Sequence, residues 1–369
     1  MTATDTTMAT MTSARELRNA LALVSASFVL ALLVAALIML ATGIPPATIA
    51  LSFWSLLIGG VGSLQAISET LVAATPLALA GLGIAIGFRA GLFNIGAEGQ
   101  LLIGGICGLV VGFAFTGLPA IIHISLALLA AFVGGAIWGG ISGWLKVATG
   151  AHEVITTIML NLIALRLTDY LLRNPPIQNP ERSDPISRSV AESAALPRIL
   201  GFLDPTLRVD IGIVIAVVAT VAVALMMKHL KLGFEFRVLG ANLTAATFAG
   251  IRSGRTMVIA MLLGGGLAGL AGASQTIGVL GRASPHFSAG LGFEAIAVAL
   301  LARSSPVGVL FAALLFGALH AGGRKMQVDA AVSIDLITIV QALIVLCIAA
   351  PMLIHSILPW IRDKGDQAT

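Results

Sequence analysis

Residues 90–101 read A-G-L-F-N-I-G-A-E-G-Q-L, and long apolar runs flank them on both sides. Asn94, Glu98 and Gln100 carry amide and carboxyl groups that exchange hydrogen bonds, and Gly91, Gly96 and Gly99 among them allow close backbone approach. Polar side chains are costly in hydrocarbon, and irregular backbone at membrane depth survives only when buried in protein or lining a wet cavity. The chemistry these residue types support is hydrogen-bonded handling of a polar solute on a path through a membrane. The plainer alternative is a turn between two spans, with Glu98 and Gln100 in the first helical turn, where the helix dipole favours a carboxylate. The residues alone support both.

Two more isolated acids, Glu153 and Glu294, each stand at the entrance of an apolar run, and Asn161 lies two turns beyond Glu153. The acids either line the path or brace neighbouring backbone, and Asn161 is expected to make an interhelical hydrogen bond, worth about 1 kcal/mol or less. A third feature is G-A-N-L-T-A-A-T-F-A-G-I at 240–251. Asn242 suits an N-cap and Gly250 a C-terminal stop, so about two turns of small residues lie between them. Such a helix is closely approachable and suits a groove on another protein. Its apolar side, Leu243, Phe248 and Ile251, is thin for an interfacial helix lying on the bilayer.

These residues must be positioned by a bundle in the membrane. Of 369 residues, 58% are apolar and 10% charged, with mean hydropathy +1.02, whereas soluble domains carry about 25% charge. The composition implies an all-α, polytopic transmembrane helix bundle. The net charge of +4 points to cytoplasmic loops, with no nucleic acid implied. Cys107 and Cys347 both lie in apolar stretches and read as packing residues. Residues 1–18 form a polar, cytoplasmic tail ending in Arg15 and Arg18, and the following apolar run reads as a retained first span.

Spanning runs fall near 19–43, 69–88, 99–117, 121–146, 153–173, 209–228, 256–280, 306–322 and 333–356. Shorter runs near 50–66 and 291–303 suit half-helices, re-entrant segments or short spans. The expected total is eight to ten spans within a transmembrane domain at 19–356, with a C-terminal tail at 357–369. The 174–208 stretch is rich in proline and reads as a loop or small cap. The 228–255 connection holds Lys228, Lys231, Arg237, Arg252 and Arg255 against one acid, Glu235. The positive-inside rule therefore places it in the cytoplasm with both termini, and places 174–208 outside. Arg324 and Lys325 then fall outside, against the rule.

A weak internal repeat accompanies this topology. Gly135, Gly139 and Gly143, four apart, precede G-A-H-E at 150–153, while Gly265 and Gly269 precede G-L-G-F-E at 290–294. The two units run in opposite senses, as in inverted-repeat transporters. Small-xxx-small spacing also serves plain helix packing, and both accounts stay open. No phosphate-binding loop, metal-ligand cluster, cofactor motif or catalytic triad stands out, so uphill transport would draw on an ion gradient or a separate ATPase.

Three strings together resemble one family. A-G-L-F-N-I-G-A-E-G-Q-L at 90–101, E-V-I-T-T-I-M-L-N at 153–161 and G-A-N-x-x-A-A-x-x-A-G-I at 240–251 are similar to the membrane permeases of bacterial ABC importers. The resemblance is to the nucleoside and simple-sugar permeases, in the group that includes ribose and branched-chain amino-acid permeases. It covers roughly residues 50–350, with A-L-L-A-R-S-S-P-V-G at 299–308 also matching, and His152 standing where Asn is expected. It implies a multi-pass protein of the bacterial inner membrane, without catalysis of its own. The implied partners are a cytoplasmic ABC ATPase, a second homologous permease or second copy, a periplasmic or lipid-anchored solute-binding protein, and membrane lipid. Carried over by motif, Gly240, Asn242, Ala245, Ala246 and Gly250 belong to the loop that couples to the ATPase, so Ala246→Arg is expected to block that contact. Asn94, Glu98, Gln100, Glu153, Asn161 and Glu294 are the candidate path residues.

Two rivals remain on the residues. An ion-coupled carrier needs mid-membrane carboxylates, yet Glu69, Glu98, Glu153, Asp169, Glu294 and Asp335 mostly fall near span ends. A non-transporting scaffold predicts that Asn94 and Glu98 tolerate alanine. Nucleoside as the solute rests on the resemblance, since one Tyr, four Trp and 15 Phe mark no base-stacking pocket; a sugar is the alternative.

Overall fold

The computed structural model describes residues 29–349; the tails expected at 1–18 and 357–369, and the start of the run at 19–43, lie outside the described residues. Helices follow in the order α1 (helical over Val29–Ala41), α2 (Pro46–Val61), α3 (Leu64–Arg89), α4 (Ala97–Ala114), α5 (Ala120–Thr149), α6 (Glu153–Leu172), α7 (Gly212–His229), α8 (Lys231–Ala241), α9 (Leu243–Phe248), α10 (Ser253–Ala273), α11 (Leu291–Leu301), α12 (Pro306–Ala330) and α13 (Ile334–Ala349). Among the described residues the remainder is loop, short 3₁₀ and π turns, and two isolated β-bridges. A helix satisfies its own backbone, which is why an apolar chain of this kind takes no open sheet in lipid.

Seven helices among the described residues are long and apolar enough to cross a membrane: α3, α4, α5, α6, α7, α10 with its extension to Val279, and α12. Helices α1, α2, α11 and α13 are apolar but shorter. Within the described residues the apolar runs fall on helices, and seven of those helices reach spanning length; the runs at 19–43 and 333–356 extend beyond the described residues.

The described residues form two compact units. One comprises 29–59 and 322–349, the other Gly60–Ala321. In the first, Asp329 near the end of α12 accepts a hydrogen bond from the Ser55 hydroxyl of α2 at 2.8 Å and pairs with Lys325 at 3.1 Å. These contacts carry α12 past the apolar run at 306–322. Arg324 and Lys325, expected on an external loop, are therefore helical residues of α12.

In the second unit α3 is innermost, with 83% of its apolar window buried against 22% in α6. Helix α10 packs on α3, α4 and α5 along a seam of glycines. A Cβ on Gly135 or Gly265 would overlap the other's backbone, and one on Gly269 would overlap the Ala131 carbonyl. The two glycine runs that suggested a repeat thus pack face to face. In lipid no hydrophobic drive separates helix from solvent, and close backbone contact supplies the attraction instead.

The 174–208 stretch is an ordered cap, with one 3₁₀ turn at Glu192–Ala194. It is laced to the helix ends by Ala191 N–H to the Gly112 carbonyl (2.9 Å), Leu196 N–H to the Ile277 carbonyl (3.1 Å) and Ser193 to His123 Nδ1 (2.9 Å). It therefore sits at the C-terminal end of α10, whereas the 228–255 connection leads into the N-terminal end. Where the cap rejoins α7, Asp210 accepts the Gly212 N–H at 2.7 Å, and burial pushes its carboxyl up to about 6 despite that bond and nearby Arg198.

Candidate functional site

Helix α3 ends at Arg89 because Ala90 and Gly91 turn the chain, Gly91 at φ +72°. The segment to Gly96 runs without helix before α4 resumes at Ala97. Asn94 and Gln100 exchange two side-chain hydrogen bonds of 3.1 Å, and Asn94 Oδ1 also accepts the Gly96 N–H at 2.9 Å. Asn161 on α6 accepts the Gly99 N–H at 2.8 Å and donates to the Ile95 carbonyl at 2.9 Å. The Gly99 bond is the interhelical bond expected of it, and the Ile95 bond reaches the non-helical segment before α4. One amide thereby satisfies two orphan backbone groups at the start of α4, which a buried helix terminus requires.

Glu98 reaches the other way. Its carboxylate accepts the Ser288 hydroxyl and the Gly292 N–H, the latter at 2.8 Å. The chain between the end of α10 and α11 makes this possible by passing through left-handed backbone at His286 (φ +59°), Ala289 (φ +47°) and Gly290 (φ +82°). Non-glycine residues in that region are strained by about 1–2 kcal/mol each, and such strain persists where surrounding bonds over-determine it. Asn94, Glu98 and Gln100 are all buried, at 1%, 8% and 1% exposure, so this is not an exposed turn. The break is cross-tied to α6 on one side and to α11 on the other.

Glu153 opens α6 and pairs with Lys146 at the end of α5, at 2.5 Å, while also lying 3.5 Å from the Phe93 N–H. Glu294, in the first turn of α11, pairs with His320 of α12 at 2.7 Å. The structure thus brings Asn94, Glu98, Gln100, Glu153 and Asn161 around one break, while Glu294 forms a separate pair. Sequence reasoning passed over Lys146, Ser288 and His320. His320 carried a usable signal, since an ionisable side chain inside an apolar run is rare; Ser288 had none, because only the fold brings it to Glu98.

In the 228–255 connection, Asn242 caps α9 by accepting the Ala245 N–H at 3.0 Å, and Gly250 ends it at φ +76°. Helix α8, which the sequence left as loop, precedes it. Its inward face is Gly233, Phe236 and Leu239, three apart, a periodicity masked by the charged residues between them. Ala246 is fully buried, whereas Ala245 is exposed and Phe248 is 89% exposed. The substitution expected to block a docking groove at Ala246 would instead disrupt the seat of α9, and the outward positions are Ala245 and Phe248. Gly240 abuts the break itself: a Cβ there would overlap the Arg89 carbonyl, and one on Gly91 would lie 3.1 Å from Gly240 Cα. Among the described residues no cluster of three or more metal-ligating side chains occurs.

Residues 66–349 match the family model described as branched-chain amino acid transport system / permease component. The chain is 38% identical to the guanosine ABC transporter permease protein NupP of Bacillus subtilis, over 92% of this chain and 96% of that one. It is 35% identical to the nucleoside ABC transporter permease protein NupB of Lactococcus lactis, over 93% and 94%. It is 40% identical to the glucose ABC transporter permease protein TsgB13 of Haloferax volcanii, over 76% and 75%. No solved structure matches the chain.

Proposed function

The chain belongs to the branched-chain amino acid transport permease family, as a multi-pass permease component of an ABC importer, and we propose that its solute is a nucleoside, with a simple sugar as the alternative. The observation that carries the proposal is likeness to a guanosine permease along nearly the whole length of both chains. The glucose permease is similar over a shorter share. Uptake of labelled guanosine by cells with and without this chain tests the proposal, with unlabelled uridine, ribose and glucose as competitors. Competition by nucleosides supports it, and competition by glucose alone transfers it to sugars.

In this proposal a partner ATPase binds and hydrolyses ATP at the inner face of the bacterial cytoplasmic membrane. A second permease, homologous or identical, completes the path, and a periplasmic or lipid-anchored protein delivers solute to the cap at 174–208. Both termini lie in the cytoplasm. Helix α9 enters the ATPase with Ala245 and Phe248 outward, and its motion reaches the break through the contact of Gly240 with Arg89 and Gly91. The cross-ties from Asn161 and Glu98 then move α4, α6 and α11 together, switching the bundle between outward and inward openings. ATP and loaded binding protein must favour different bundle states for this to do work. The opposed glycine units of α5 and α10 are compatible with an inverted repeat as the basis of that switch.

A further inference from the structure

A cleft of about 620 Å³ between α8 and α10 is lined by Lys231, Arg252 and Arg255 together with Leu232 and Ile259. One acid, Glu235, faces it, and that acid is engaged: it accepts from the Thr256 hydroxyl at 3.3 Å and lies 3.7 Å from Lys231. Arg252 and Arg255 are exposed and, among the described residues, stand in no ion pair. The cleft thus presents cationic charge beyond what its own acid neutralises.

Its position adds a second constraint. Lys231 follows directly on the span α7, and Arg252 and Arg255 flank the start of the span α10. The cleft therefore opens at the ends of two candidate spans, where the phosphates of a bilayer would lie. Leu230 and Phe234 beside it are more than half exposed, apolar surface that suits the upper acyl region. Basic pockets between spans at this depth suit anionic head groups, with the side-chain stems lying on apolar surface.

We propose that the cleft holds the phosphate of an anionic phospholipid, with the guanidinium groups of Arg252 and Arg255 on the phosphate and Ile259 and Leu232 against the glycerol and first acyl carbons. The site is independent of the transported solute. It places a lipid ligand against Gly250 and Arg252, on the segment that joins α9 to α10, so bound lipid would restrain α9 at its C-terminal end.

Native mass spectrometry of the solubilised transporter complex, titrated with phosphatidylglycerol, with phosphatidylcholine of the same acyl chains, and with inorganic phosphate, tests this. The wild-type complex should retain phosphatidylglycerol over phosphatidylcholine, and millimolar phosphate should not displace it. Arg252→Gln with Arg255→Gln should weaken retention about tenfold or more. Lys228→Gln with Arg237→Gln, which removes equal charge outside the cleft, should not. Glu235→Gln should strengthen retention, which keeps the test open if the double arginine variant fails to fold. Equal retention of both lipids, or displacement by free phosphate, overturns the proposal. So does release of a partner ATPase by the arginine variant with its lipid content unchanged, which would assign the cleft to a protein interface.

Discussion

Gly240 at the end of α8 lies so close to Arg89 that a Cβ on it would overlap the Arg89 carbonyl, and a Cβ on Gly91 would sit only 3.1 Å from Gly240 Cα. The polar break of residues 90–96 and the connection carrying α9 are therefore in direct backbone contact, and the proposed coupling runs through that contact. Gly91→Ala should cost about 1–2 kcal/mol from its left-handed backbone alone. Gly240→Leu should force α8 off the break, abolishing ATP-driven uptake while the chain still inserts. Uptake in cells, read beside membrane abundance, checks both. Normal uptake by Gly240→Leu would disconnect the two motifs.

Asn161 ties α6 to the start of α4 by two hydrogen bonds. Asn161→Ala leaves the Gly99 N–H and the Ile95 carbonyl without their partner in a buried site, at a cost of about 1–3 kcal/mol. Asn161→Asp keeps the acceptor for Gly99 and should retain more stability. Thermal unfolding in detergent should rank wild type above Asp and Asp above Ala. An alanine variant as stable as wild type would remove Asn161 as a brace.

Phe248 is the most exposed large residue of α9. Phe248→Ala and Ala245→Arg should reduce recovery of the ATPase with the permease and lower uptake, without lowering permease abundance. Ala246→Arg should lower abundance itself, because Ala246 is buried. Co-purification from membranes separates the two effects, and unchanged ATPase recovery in the first two variants would take the docking role from α9.

Asp210 should give the cap a pH dependence. Its carboxyl is raised to about 6 in the fold from about 3.9 in an unfolded chain, so the fold favours the neutral acid. That stability is fully present below about 4 and is lost as pH rises through about 6; the full span is on the order of 3 kcal/mol. Asp210→Asn should keep the Gly212 bond and hold the cap closed across this window. Hydrogen exchange of the 191–196 amides at pH 4.5 and 7.5 checks it. An equal pH effect in the Asn variant would place the titration elsewhere.

The membrane class and the helix positions were legible because apolar runs of spanning length are a one-dimensional signal. Asn242 and Gly250 were legible too, since caps are local. What stayed hidden was set by tertiary contacts. Nothing in the sequence says that Ser288 meets Glu98, that His320 meets Glu294, or that Ala246 rather than Ala245 faces inward. Helix α8 was hidden for a different reason: its buried face of Gly233, Phe236 and Leu239 is interrupted by Glu235 and Arg237, so composition masked periodicity. The pairing of the glycine runs in α5 and α10 was visible as spacing, but whether they faced each other or only echoed each other required the fold.

A subunit of an ATP-driven importer works only in the company of its partners. Affinity purification from gently solubilised, crosslinked native membranes, with mass spectrometry of what accompanies it, tests that most directly. An ABC ATPase, a second permease and a solute-binding protein should be recovered in defined proportion. A chain recovered alone, with and without crosslinking, would mean that it does not work as an importer subunit.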